Sequence, residues 1–208
     1  MRALRWLIGL VVVLALALGI GDVVVRDHVQ SAVAARIERQ APGSHATVRI
    51  SSFPFLGRLA VSGQVLDVDA DVTGVTDGHV HFSHVVLHLA DLMVSRHAIV
   101  KGKLRATSLR SGSVTAEVTQ ASLRVETGQP VTIGDGTLGL DGHTVPATVK
   151  VSGGVVTVEA DGAARLSLAV PSLAIVPCLS SARLVPGALE LTCRFTGLPA
   201  ALSGTYSL

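Results

Sequence analysis

From Leu66 to Thr73 the chain alternates without a break: Leu66, Val68, Ala70 and Val72 fall on one side, Asp67, Asp69, Asp71 and Thr73 on the other. Strict period-two alternation marks a strand with one face buried. In HVHFSHVVLHLA, residues 79–90, the parity slips. Val80 and Phe82 are apolar on even positions, whereas Val85, Leu87 and Leu89 are apolar on odd ones. One extra residue near Ser83, a β-bulge, restores the facing. With that bulge His79, His81, His84 and His88 share the polar face, and the turn between the two strands sets Thr73 and Asp71 opposite His79 and His81. Further on, Lys101, Lys103 and Arg105 share one face while Leu104 and Ala106 share the other. The predicted sheet is charged on one side and apolar on the other.

Turn signals at Thr76-Asp77-Gly78, Asp135-Gly136, Asp141-Gly142, Gly153-Gly154 and Asp161-Gly162 punctuate the rest. Short strands at such spacing, without long helices between them, predict an antiparallel β meander over 46–208. Thr119 is placed to cap a short helix in TQASLRVETG. Upstream the period changes to four, with Val25, Val29, Val33 and Ile37 forming one stripe and Pro42-Gly43 ending it. This predicts an amphipathic helix over 22–40 whose narrow stripe needs a partner surface. Before it, Arg2 and Arg5 precede the uncharged run WLIGLVVVLALALGIG. Residues 1–21 therefore read as an export segment, either a signal peptide cut after Ala15-x-Ala17 or Gly19-x-Gly21, or a transmembrane anchor that keeps the basic end in the cytoplasm.

The expected class is α+β, mostly β: a long N-terminal amphipathic helix packed in a curved antiparallel sheet, after a signal or anchor segment. Residues 22–208 form one domain. At 208 residues and 49% hydrophobic content a single core is well supplied. A formal charge of +2 is too near neutral for a nucleic-acid binder, which needs a dense basic patch. Three of the 17 basic residues are lysine, a bias that hints at a bacterial source. Export puts Cys178 and Cys193 in an oxidising compartment. There an even pair reads as a disulfide closing a loop of about 14 residues, worth about 3 kcal/mol by loop entropy. The expected location is the cell envelope, membrane-anchored or periplasmic.

Candidate chemistry is sparse. The four histidines His79, His81, His84 and His88 invite a metal site, two of them at i and i+2 with Asp71 as third ligand, but a solvated face on which His and Asp pair by charge accounts for them without one. Asp67-x-Asp69-x-Asp71 fails as a calcium loop, with Val72 and Gly78 where glycine and glutamate are needed. Gly134-x-Gly136-x-x-Gly139 is followed by turn residues and a proline, so it reads as hairpin turns and not a dinucleotide fingerprint. No nucleophile elbow, zinc-protease or P-loop motif occurs. No catalytic residue, metal or cofactor is assigned, and the chain is read as a non-enzyme. Lys101, Lys103 and Arg105 are candidates for contact with phospholipid headgroups at a membrane surface.

Several stretches carry a resemblance. VRISSFPFL at 48–56, VSGQVLDVDADV at 61–72, ADLMV at 90–94, TAEVTQASL at 115–123 and LELTCRFTGLPAAL at 189–202 resemble the actinobacterial LmeA-like family of envelope phospholipid-binding proteins. The similarity covers about residues 22–202, with little of the polar insertion expected between the middle strands. It implies a tubular lipid-binding type of fold, in which a curved sheet wraps a helix around an apolar groove. It also implies a role in envelope lipid or lipoglycan metabolism and no cofactor. The expected ligand is phospholipid. The groove candidates are Val25, Val29, Val33, Ile37, Phe53, Phe55, Leu56, Val68, Val72, Phe82, Val85, Leu87 and Leu89, residues that would equally form a dry core. The alternative is an envelope scaffold that docks a biosynthetic protein partner.

Two of the four phenylalanines flank Pro54 in SSFPFLG. Proline donates no ladder hydrogen bond, so this stretch is expected to begin a strand or lie on an edge, as a hinge between helix and sheet. Phe53 and Phe55 then stand at the floor or mouth of the groove, or in ordinary core.

Overall fold

The computed structural model describes residues 2–77, 80–101, 103–128, 130–140, 143–152, 154–160, 163–169, 181–199 and 205–207. Its first element, α1, is a single helix over Arg2–Gln40. The apolar run and the amphipathic segment, expected as separate pieces meeting at residue 22, are one rod of about 58 Å at 1.5 Å per residue. Gly19 and Gly21 weaken a helix without breaking it, and no proline intervenes before Pro42. Among the described residues no helix is long and apolar enough to cross a membrane. The side chains of residues 2–20, which hold the expected export segment, lie outside that description.

The chain is mostly β, and the sheet curls into a half-barrel. Strands β1 (His45–Ile50), β2 (Gln64–Asp77), β3 (Val80–Val94) and β4 (Lys103–Thr119) form an antiparallel meander. Two later strands, β10 (Ser181–Val185) and β11 (Ala188–Thr196), continue it on the far side of β4, and β12 (Thr205–Ser207) pairs with the start of β4. The chain does not run as the one continuous meander expected. β5 (Val131–Gly134), β6 (Thr137–Leu140), β7 (His143–Ser152), β8 (Val155–Ala160) and β9 (Ala163–Ala169) form a second, five-stranded sheet.

The expected bulge is present: pairing between β3 and β4 shifts register between Phe82 and His84. Burial follows the shift, with Val80 and Phe82 buried before it and Val85 and Leu89 buried after it. The neighbouring strand is irregular at the same level, where Gly74 within β2 takes φ +72°. Facing across the hairpin differs from expectation. Thr73 lies opposite His84 and Thr76 opposite His81, because the strands run out to Asp77 and Val80 before turning. His79 is outside the described residues. The hairpin at Asp135-Gly136 forms, joining β5 to β6. So does the short helix α4 (Gln120–Thr127), where the Thr119 hydroxyl accepts the Ser122 N–H at 3.2 Å and Gly128 closes the far end with φ +67°.

SSFPFLG is the clearest departure. It neither begins nor edges a strand: after a cis Phe53-Pro54 peptide the chain enters a second helix, α2 (Phe55–Val61). The signal was legible, since Phe55, Leu56 and Leu59 follow the i, i+1, i+4 spacing of a helix face. A further short helix, α3 (Arg96–Val100), links β3 to β4.

The large core lies between the two sheets. Phe82, Val85, Ala116, Val118, Leu189 and Leu191 of the first pack with Val131, Ile133, Leu138, Val156, Val158, Leu166 and Leu168 of the second. Cys193 is fully buried within it and is not a free thiol. Cys178, its expected partner, lies outside the described residues.

Candidate lipid groove beside helix α2

The inner face of the first sheet is apolar rung by rung. Ala46, Val72, Val85, Ala116 and Leu191 are successive cross-strand partners, as are Val48, Ala70, Leu87, Val114 and Cys193. The third rung runs Ile50, Val68, Leu89, Gly112, Phe195. The second sheet covers the first of these rungs. The third rung lies toward the helices, where cover is thinner.

Helix α1 reaches this face along the free edge of β1. Three polar side chains eight residues apart fasten it: Asp22, Gln30 and Glu38. Glu38 accepts the Ala46 N–H at 3.0 Å and Gln30 accepts the Ile50 N–H at 2.9 Å, satisfying edge donors that a neighbouring strand would otherwise take. Asp22, 3% exposed, accepts the N–H of Phe55 at 3.0 Å and of Leu56 at 2.5 Å. These are the first donors of α2, which Pro54 cannot cap with a side chain. A carboxylate thirty-odd residues upstream supplies the cap instead.

The helix is therefore held by its polar residues, and its apolar stripe is only partly covered. Val25 is exposed, and Val29, Val33 and Ile37 are half-buried. Ile37 packs on the large core, whereas Val29 joins a smaller cluster of Ile50, Phe55 and Val65. Around that cluster Leu56, Leu59, Val68 and Leu92 are also half-buried. The structure thus divides the groove candidates. Phe55, Val72, Phe82, Val85 and Leu89 are buried; Val29, Val33, Ile37, Leu56, Val68 and Leu87 are half-covered; Phe53 is 69% exposed. Val29, Phe55, Leu56 and Val68 come together in the small cluster, while Val72, Phe82, Val85, Leu87 and Ile37 belong to the large core. Leu59, Leu92 and the buried Ile50 and Val65 are members that the sequence reading missed.

The border of this patch is basic and apolar. Arg58 of α2 donates to the Phe53 carbonyl at 3.3 Å, and Arg96 donates to the Val61 carbonyl at 2.9 Å. Phe53, Val61 and Val24 are exposed, the last two at 77% and 62%. Lys103 and Arg105 are exposed neighbours on β4, with Lys101 in the turn before it.

The opposite face is polar. His84 bonds Asp71 at 2.7 Å and His88 bonds Asp69 at 2.6 Å, while His81 bonds Thr76 at 3.0 Å. Among the described residues no group of three His, Cys, Asp or Glu is placed to hold a metal. An open depression of about 440 Å³ is lined by His88, Ser111, Gly112, Ser113, Arg194, Phe195 and Thr196.

Comparison with known protein families finds a match over most of the chain. The family model described as LmeA, LmeA-like phospholipid-binding, covers residues 17–202. No curated protein and no solved structure matches the chain.

Proposed function

The chain belongs to the LmeA-like phospholipid-binding family, and from that premise we propose that it holds phospholipid by the acyl chains, outside the cytoplasmic membrane. The chains lie on the half-covered apolar surface between α1, α2 and the third rung of the sheet. The single observation that carries this is the half-covered state of Val29, Leu56, Leu59, Val68 and Leu92 around a small buried cluster. Elsewhere the same sheet face is sealed by a second sheet. Each methylene moved from water to such a surface contributes about 0.8 kcal/mol, so two acyl chains are held without a catalytic or cofactor group.

Residues 1–21 direct export, as a cleaved signal or as an anchor, and the protein works in the cell envelope, supporting lipid or lipoglycan metabolism. The basic residues Arg58, Arg96, Lys101, Lys103 and Arg105 favour approach to an anionic bilayer. Export also supports pairing of Cys193 with Cys178.

Native mass spectrometry of the full chain from a bacterial host tests the reading. The expected result is a population carrying phospholipid-sized mass, together with uptake from phospholipid vesicles. A homogeneous lipid-free species that takes up nothing, particularly one that copurifies with a stoichiometric protein partner, overturns it.

A further inference from the structure

Two buried polar atoms find no hydrogen-bond partner among the described residues: Nε of Arg26 and Oγ of Ser52. Ser52 is 1% exposed. Burying a hydroxyl or a guanidinium N–H without a partner is costly, and native proteins rarely leave such groups unmatched. The flanking hydrogen bonds bring the two residues to one stretch of the fold. Asp22, one turn before Arg26 on α1, holds the N–H groups of Phe55 and Leu56, and Gln30, one turn after it, holds that of Ile50. Residues four apart share a helix face. Arg26 therefore stands over the stretch between Ile50 and Phe55, where Ser52 lies.

The neighbouring acids do not answer this pair. Both oxygens of Asp22 are taken by α2. Asp27 comes no nearer than 3.9 Å to Arg26 Nε, is 62% exposed, and accepts from Gln30 at 3.0 Å. What remains is a positive charge with an unused N–H, on a helix face that stands over a segment carrying an unused hydroxyl. The complementary group is an anion with several acceptor oxygens, and a phosphate diester presents them to an arginine fork and a hydroxyl together.

We propose that Arg26 and Ser52 bind the phosphate of the phospholipid. Its chains then run over Val29, Leu56, Leu59, Val68 and Leu92, all of which pack on the cluster of Ile50, Phe55 and Val65. The assignment rests on the phospholipid-binding reading and adds where the headgroup is held. It also gives the neighbouring exposed Phe53 a place at the mouth, beside the phosphate.

The test uses the full chain and its Arg26→Gln and Ser52→Ala variants. Each is incubated with vesicles containing phosphatidylglycerol or, separately, diacylglycerol, which offers the same chains without phosphate, and retained lipid is counted by native mass spectrometry. Arg26→Gln is expected to lower phosphatidylglycerol retention about tenfold or more, and Ser52→Ala about threefold. Diacylglycerol uptake stays unchanged in both. Ser52→Ala removes an unmatched hydroxyl and leaves the melting temperature level or higher, so this variant decides the matter if Arg26→Gln does not fold. Equal phosphatidylglycerol retention by wild type and both variants overturns the headgroup site while leaving acyl binding intact. A wild type that takes up neither lipid overturns both. Binding of millimolar inorganic phosphate by wild type, lost in Arg26→Gln and undiminished by bound diacylglycerol, would assign the pair to free phosphate instead.

Discussion

The carboxylate of Asp22 accepts the backbone N–H of Phe55 at 3.0 Å, and with its second oxygen caps the first turn of α2. This one side chain fixes the Asp22 turn of α1 against the aromatic segment. Bonds to a buried charged acceptor are worth about 1.5–3 kcal/mol each. Asp22→Ala leaves both N–H groups unmatched and is expected to destabilise the chain by about 3 kcal/mol. Asp22→Asn, which retains one acceptor oxygen, is expected to cost less. Denaturant unfolding of the two variants measures the difference, and equal stability of all three proteins would show that the cap carries nothing.

Phe53 and Phe55, alike in sequence, separate in the structure. Phe55 is 2% exposed and Phe53 69%. Phe55→Ala is therefore expected to lose about 3–4 kcal/mol of stability, in the range for emptying a buried aromatic site. Phe53→Ala changes stability by less than about 0.5 kcal/mol, as exposed substitutions do. Phe53→Ala should instead reduce association with anionic phospholipid vesicles, measured by cosedimentation. Loss of stability without loss of vesicle binding would assign Phe53 to the fold.

The ring of Phe195 lies over Gly112, which is its cross-strand partner on the inner face. A Cβ at 112 would run into that ring and press on Leu89 as well. Gly112→Ala must push Phe195 outward, and overpacking of this kind costs about 1–3 kcal/mol. Phe195→Leu in the same chain should recover part of the loss, and a double-mutant cycle reads the coupling. Independent effects would mean that the ring has room to move.

The two His–Asp pairs on the outer face are solvent-exposed, with side chains between 37% and 52% accessible. Exposed pairs of this kind contribute about 0–1 kcal/mol. Asp69→Asn and Asp71→Asn are expected to fall within that range by denaturant unfolding and to leave lipid retention unchanged. A large loss of retention would place function on the polar face.

If Cys193 is joined to Cys178, the oxidised protein takes up no alkylating reagent when unfolded, and reduction exposes two thiols. Changing Cys178 to alanine should then cost about 3 kcal/mol, the loop-entropy value for a ring of this size. Alkylation of the untreated, unfolded protein would remove the pairing.

Much of the fold was written locally. Alternation over Leu66–Thr73 gave β2 its buried face, and the parity slip in residues 79–90 located the bulge at Ser83, because side-chain facing depends only on position along one strand. Thr119 capped its helix for an equally local reason. The helix at Phe55–Val61 was missed although its spacing was present, because Pro54 was read as the edge of a strand. Proline is equally at home just before a helix.

The sequence by itself determined which residues are apolar, which way they face and where strands turn, because these follow from periodicities of two and 3.6 along a short stretch. Only the tertiary structure decided which of those apolar residues are covered. Val85 and Val68 are indistinguishable as strand residues. The second sheet, built from residues 131–169, seals the end that holds Val85, and the helices leave the end that holds Val68 half open. The same holds for Arg26 and Ser52, which are brought to one stretch only because Asp22 and Gln30 fix one helix against a segment some twenty to thirty residues away. Coverage of a face depends on which distant element lands on it, and no local pattern carries that information.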